Sequence, residues 1–188
     1  MTFRSRFPAA GVIAAALVAL VVLAGCGDDD DDQAATSTTA DATTSTTAEP
    51  TSTTTRAQAE AAVIAAYQAG WDAITTASNP PNPDHPVLVQ RLVDQALEIA
   101  QDRMRQYGAE GTGLRGTFVV ENVQVTELTS TRAVVQNCLR DQTEIYRLAT
   151  GEVVTPASNE LGADRGDLKF VDGAWKVSNF SEGSLTCA

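Results

Sequence analysis

The chain predicts an α+β domain, with helices first and an antiparallel sheet after them, carried behind an export signal and a long polar tether. Three observations carry that prediction. An uncharged apolar run near the start ends at a cysteine. Apolar residues then recur at helical spacing between residues 56 and 107. From residue 117 to 180, Val-, Phe- and Thr-containing runs alternate with turn residues, which is the pattern of successive strands. Helices followed by a run of strands make an α+β layout.

The first segment, residues 1–25, has the order of a signal peptide. Arg4 and Arg6 precede an apolar stretch, Ala9 to Ala24, and small residues follow. That stretch falls short of the roughly 20 residues a membrane-spanning helix needs. Leu23-Ala24-Gly25-Cys26 resembles the bacterial lipobox, which implies cleavage before Cys26 and acylation of its sulfur. A diacylglycerol supplies two chains at once, and stable anchoring takes two signals. The expected partner of the N-terminus is therefore the membrane, reached through a lipid anchor on the extracytoplasmic face.

Residues 26–55 form the expected tether. Asp28 to Asp32 is an unbroken acidic block, and residues 33–55 contain 11 Thr and 3 Ser among 23. Such a stretch holds too little apolar surface to offset the entropy of ordering, so disorder is expected. As a flexible coil it spans about 30 Å root-mean-square. The whole chain carries a net charge of −11. No basic patch is available to neutralise phosphates, which excludes nucleic acid as a partner.

Residues 56–188 fit one domain. Val63, Ile64, Tyr67, Trp71 and Ile74 stripe a helix from Arg56 to Thr76, with Thr55 as its cap and Gly70 allowing close packing. Asn79-Pro80-Pro81-Asn82-Pro83 stops it. Asp84 then caps a second helix, with Pro86 in its first turn. Leu88, Leu92, Val93, Ala96, Ile99 and Arg103 trace the face of that helix, and Gly108 ends it.

Gly111 to Gly116 reads as a connector. Strands are expected at Thr117–Val125, Arg132–Leu139, Glu144–Leu148 and Val153-Val154, and in a last hairpin, Leu168–Val171 and Ala174–Phe180. Asp172-Gly173 between the last two fits a type I′ turn, which needs positive φ at both residues. That turn pairs Val171 with Ala174, Phe170 with Trp175 and Leu168 with Val177, sending Leu168, Phe170, Trp175 and Val177 inward. Cys138 and Cys187 are the cysteines beyond Cys26, and in an exported protein an even pair predicts a disulfide. It would close a loop worth about 3–4 kcal/mol.

Ala66-Tyr67-Gln68-Ala69-Gly70-Trp71-Asp72, Ala133-Val134-Val135-Gln136-Asn137-Cys138, Thr150-Gly151-Glu152 and Asp172-Gly173-Ala174-Trp175-Lys176-Val177 occur in that order. On these motifs, residues 56–188 resemble the nuclear-transport-factor-2-like (cystatin-like) domains, and more specifically small actinobacterial lipoproteins that carry them. The resemblance implies a sheet curled around a helix, with a cavity lined by Tyr67, Trp71, Phe118, Tyr146, Phe170 and Trp175. Such a cavity would take a small apolar or amphipathic ligand.

Relatives of the ketosteroid-isomerase or dehydratase kind would need a positioned Asp or His base facing a Tyr. Asp72, Asp141, Tyr67 and Tyr146 are the residues available for that work. The only histidine, His85, reads as a solvated turn residue in the Pro-rich loop. No metal site is expected, since there is no His/Cys cluster, and Asp28 to Asp32 lacks the spacing and turn glycine of a calcium loop. No cofactor motif appears: the glycines at 108–116 are not followed by Lys-Ser/Thr, and there is no nucleophile elbow. The expectation is a non-enzymatic, membrane-anchored module binding a small apolar ligand or an envelope protein. The alternative is a small-pocket enzyme of the isomerase or dehydratase type.

Overall fold

The computed structural model describes residues 55–188. The expected export signal, Cys26 and the expected tether up to residue 54 lie outside the described residues. Helix α1 (Arg56–Ala77) is followed by α2 (Pro86–Arg91) and α3 (Asp94–Glu110). The strands are β1 (Thr112–Leu128), β2 (Arg132–Arg147), β3 (Val153–Thr155), β4 (Leu161–Val171) and β5 (Ala174–Glu182). The helices lie against a curved antiparallel sheet ordered β1-β2-β4-β5, with the short β3 paired to β2.

Thr55 caps α1 as expected. Its hydroxyl accepts from Gln58 N at 3.3 Å, and the Gln58 amide oxygen accepts from Thr55 N at 2.8 Å, closing a capping box. The helix buries Val63, Tyr67, Gly70, Trp71, Ala73 and Ala77. Gly70 is the closest approach: a Cβ there would lie 2.7 Å from Val177 Cγ2 of β5. The glycine is what lets helix and sheet meet.

The expected second helix is two helices. Leu92 is extended (φ −118°, ψ 155°) and bridges Val177, whose carbonyl accepts from Val93 N at 2.9 Å. A backbone bond to the sheet wins over helix continuation and re-phases α3. Ala96, Ala100, Met104 and Tyr107 therefore turn inward, while Ile99 is 46% exposed and Arg103 sits 5.8 Å over the Tyr107 ring. The cap of α2 is His85 rather than Asp84, its Nδ1 accepting from Val87 N at 3.2 Å. The solvated-turn reading of His85 thus gives way to a capping role. Helix α3 ends at Gly111 (φ 65°) and not at Gly108, because only the later position takes the left-handed conformation.

The Gly-rich connector is already strand. Gly113 leaves room for the Tyr146 ring, and Gly116 (φ 107°) lets β1 pass close to the Gln142 carbonyl. Strand β2 runs without a break through Arg140–Thr143, joining two runs expected to be separate, because β1 pairs with it throughout that stretch. Strand β4 begins at Leu161, seven residues before the expected start, since β2 supplies partners from Arg140 to Arg132. Register shifts in β1, between Glu121/Gln124 and Val125/Glu127, and in β4–β5, at Asp167/Leu168, accompany the curvature.

The last hairpin has the expected register, Val171 with Ala174, Phe170 with Trp175 and Leu168 with Val177. Asp172 and Gly173 both have positive φ, 53° and 77°. Leu168 and Val177 are buried at 1% and 0% exposure, but Phe170 at the tip is 43% exposed. The inward face runs out of covering helix before the hairpin ends. Cys138 and Cys187 form the expected disulfide, with Cα atoms 5.7 Å apart. Ser184 N and Oγ also donate to Gln136 Oε1, at 3.3 and 2.8 Å, fastening the last residues to β2.

Candidate functional site

Two places hold the side chains that could act on a ligand. The first is a buried polar group under α1. Tyr67 is fully buried and lies on Gly166 of β4, where any Cβ would collide with its ring. Its hydroxyl donates to Asp164 Oδ2. Asn137 stands opposite Asp164 across the β2–β4 ladder. The Asn137 amide is fully buried, and neither of its polar atoms nor Trp71 Nε1 has a hydrogen-bond partner. Both side chains lie close enough to the Tyr67 hydroxyl to favour its ionised form. Burial, followed by the charge of Asp164, nevertheless drives the phenol far above its ordinary range. Burial likewise pushes the Asp164 carboxyl up to about 6, against the Tyr67 hydroxyl and the Arg165 backbone N–H, which favour its charge.

Aromatic rings close over this group. Trp71 stacks at 4.5 Å on Phe118 and at 4.3 Å on Phe180, which also lies 6.0 Å from Tyr67. The interior between α1 and the sheet is thus filled by side chains.

The six residues expected to line one cavity divide among three places. Tyr67 and Trp71 are buried under α1, with Phe118 packed half-buried against them. Tyr146 is remote from them, its hydroxyl bonded to Asn79 Oδ1 and its ring 4.7 Å under the Arg115 guanidinium. Phe170 and Trp175 meet edge-on at 5.4 Å at the hairpin tip.

The expected acid–tyrosine pairs do not assemble. Asp72 is exposed on α1 and lines a shallow groove of about 290 Å³ with Gln68 and Phe118 to Val120 of β1. Asp141 Oδ1 accepts from Thr143 N and Oγ1, at 2.9 and 2.6 Å, and its charge adds to burial in raising the Tyr107 phenol. The acid that meets Tyr67 is Asp164, which lay hidden in a segment not read as strand. Asn137 was legible: alternation along Ala133, Val135 and Asn137 places an amide on the buried face.

The second place is an open groove of about 810 Å³. Alanines of α1, among them Ala62, Ala66 and Ala69, form one wall. Leu128, Phe170 and Trp175 form the other, and Arg91 at the end of α2 stands at the edge. Among the described residues, no group of three His, Cys, Asp or Glu side chains is placed to hold a metal ion. None of the described helices is long and apolar enough to cross a membrane.

No family model matches the chain, and no curated protein aligns with it. Solved structures do resemble it. The intermembrane-space region of the chloroplast protein ARC6 superposes with a TM-score of 0.52 at 19% identity, over 68% of this chain and 97% of that one. A ketosteroid isomerase-like protein from Erwinia carotovora atroseptica has a TM-score of 0.41 at 17% identity, over 68% and 96%. A protein of the NTF2-like family from Streptomyces avermitilis has 0.40 at 14%, over 70% and 98%. At these identities the likeness concerns the fold alone.

Proposed function

We propose that this chain is a lipid-anchored module of the extracytoplasmic face of the cell membrane whose folded domain binds a small apolar ligand without transforming it. The observation that carries the binding reading is the open groove of about 810 Å³ beside a filled interior. Its volume suits a small-molecule ligand, and Phe170 leaves 43% of its surface in solvent there. The lipobox at Leu23–Cys26 and the polar tether support the anchored placement.

Two measurements on the full-length chain expressed in a bacterial host test it. Labelling with an alkynyl fatty acid marks the wild type and not Cys26→Ala, which keeps residues 1–25. Native mass spectrometry of the detergent-extracted chain shows a small-molecule adduct that Phe170→Ala/Trp175→Ala loses. An unlabelled wild type overturns the anchor, and a wild type without adduct overturns the binding.

A second reading, a pocket enzyme of the isomerase or dehydratase type, is favoured by the pairing of buried Tyr67 with half-buried Asp164, beside the unpartnered Asn137 and Trp71 side chains. It is weakened because neither groove is lined by Tyr67, Asn137 or Asp164, and because the Tyr67 proton is already engaged. Turnover of an adduct molecule that Asp164→Asn abolishes would select it.

A further inference from the structure

We infer that the ligand of the α1–hairpin groove is an amphipathic anion, a free molecule with an apolar chain and a carboxylate head, whose head is read by Arg91. This rests on ligand binding in the groove and adds to it the chemical class.

Residues 56–188 hold 17 acids and 11 bases, so a cation beside an apolar surface stands against an acidic background. Of the other basic groups at this end of the sheet, both lysines are engaged, and Arg132, across from Lys169 on β2, is exposed and does not line the groove. Lys169 Nζ lies 2.6 Å from Asp94 Oδ2. Lys176 Nζ donates to the Val89 carbonyl at 3.1 Å and lies 3.6 Å from Asp172. Arg91 has no ion pair or hydrogen bond among the described residues, and its side chain lines the groove.

The walls supply the other half of the recognition. The alanine methyls of α1 face Leu128 and the Phe170–Trp175 pair, an apolar trough with the guanidinium at one edge. A wholly apolar ligand would leave Arg91 unused. A cation would meet it directly and be repelled. An anionic head beside a short apolar body satisfies both, since a guanidinium binds carboxylates through paired N–H donors. Arg91 also lies in the last turn of α2, where a positive charge favours the helix end. That structural role predicts no discrimination between ligands, so the two are separable.

The test titrates the full-length chain with dodecanoate, dodecanol and dodecyltrimethylammonium, each below its aggregation concentration. Binding is read by tryptophan fluorescence, with Trp175→Phe identifying the signal from the groove. Dodecanoate is expected to bind about fivefold more tightly than dodecanol, one partly exposed ion pair's worth. Dodecyltrimethylammonium is expected to bind weakest. Arg91→Gln is expected to bring dodecanoate and dodecanol to the same affinity, Arg91→Lys to keep part of the preference, and added salt to shrink it in the wild type. Equal affinities, or a preference that survives Arg91→Gln, overturn this inference and leave the groove reading standing. No binding by any of the three overturns both. Sedimentation showing a dimer that excludes dodecanoate from the groove, with a second copy as its occupant, also overturns it.

Discussion

Tyr67 and Asp164 place an ionisable carboxyl where water is scarce, and that makes stability depend on pH through one side chain. The Asp164 carboxyl titrates at about 6 in the folded chain against an ordinary 3.8. Below the lower value both folded and unfolded chains hold the proton, and no difference arises. Between the two values the folded chain keeps a proton that the unfolded chain releases, so stability falls as pH rises through this window. Above about 6 the penalty is constant, about 2–3 kcal/mol at most. Asn at this position still accepts from the Tyr67 hydroxyl and carries no charge. Urea denaturation from pH 3.5 to 7.5 is therefore expected to show Asp164→Asn gaining on the wild type steadily between about 4 and 6. A constant difference across the range would refute the assignment.

At the scale of elements, the contact between α1 and β5 is set by a missing side chain. In an exposed helix, Gly70→Ala would gain about 1 kcal/mol from propensity. Here the new methyl would lie 2.7 Å from Val177 Cγ2, and Val177 is fully buried and branched at Cβ, with nowhere to turn. The steric term wins, and the variant is expected to lose about 1–3 kcal/mol net, measured by chemical denaturation. A stabilised variant would show that α1 can lift from the sheet at little cost.

Elements also differ in how far their causes lie within their own residues. α1, the final hairpin with its register and the disulfide were all legible in the sequence, because periodicity, turn chemistry and compartment are local or compositional signals. The break at Leu92-Val93 was not, since its cause is a hydrogen bond to Val177, more than eighty residues away. Nor was the first half of β4: Gly162, Asp164 and Gly166 are poor strand formers and become strand by pairing with β2, and from Asp164 onward with β5 as well. The loss of that half-strand hid Asp164, and with it the partner of Tyr67. The division of the aromatic residues among three places depends on where the helices stop covering the sheet.

Across the whole domain, one covalent bond ties the C-terminal residues to the second strand. The Cys138–Cys187 disulfide spans 49 residues of sequence and holds Cys187 against a residue buried to 1% exposure. Between these two cysteines run β3, β4 and β5, so the bond limits the freedom of most of the sheet when the chain unfolds. Cys138→Ala/Cys187→Ala is expected to unfold with a stability lower by about 2–4 kcal/mol, with the native circular dichroism spectrum retained at low temperature. An unchanged midpoint would mean that the tail contributes nothing to the fold.

The Tyr67 ring occupies the space a side chain at Gly166 would need, and this has an outcome for the groove further along the same helix. A ring seated in a notch with no side chain beneath it resists sliding of the rod along the sheet in either direction. The two walls that α1 and the hairpin present are consequently held at a preset gap. In the binding reading proposed above, that gap would select a ligand by its girth, and the opening to solvent would leave its length less constrained.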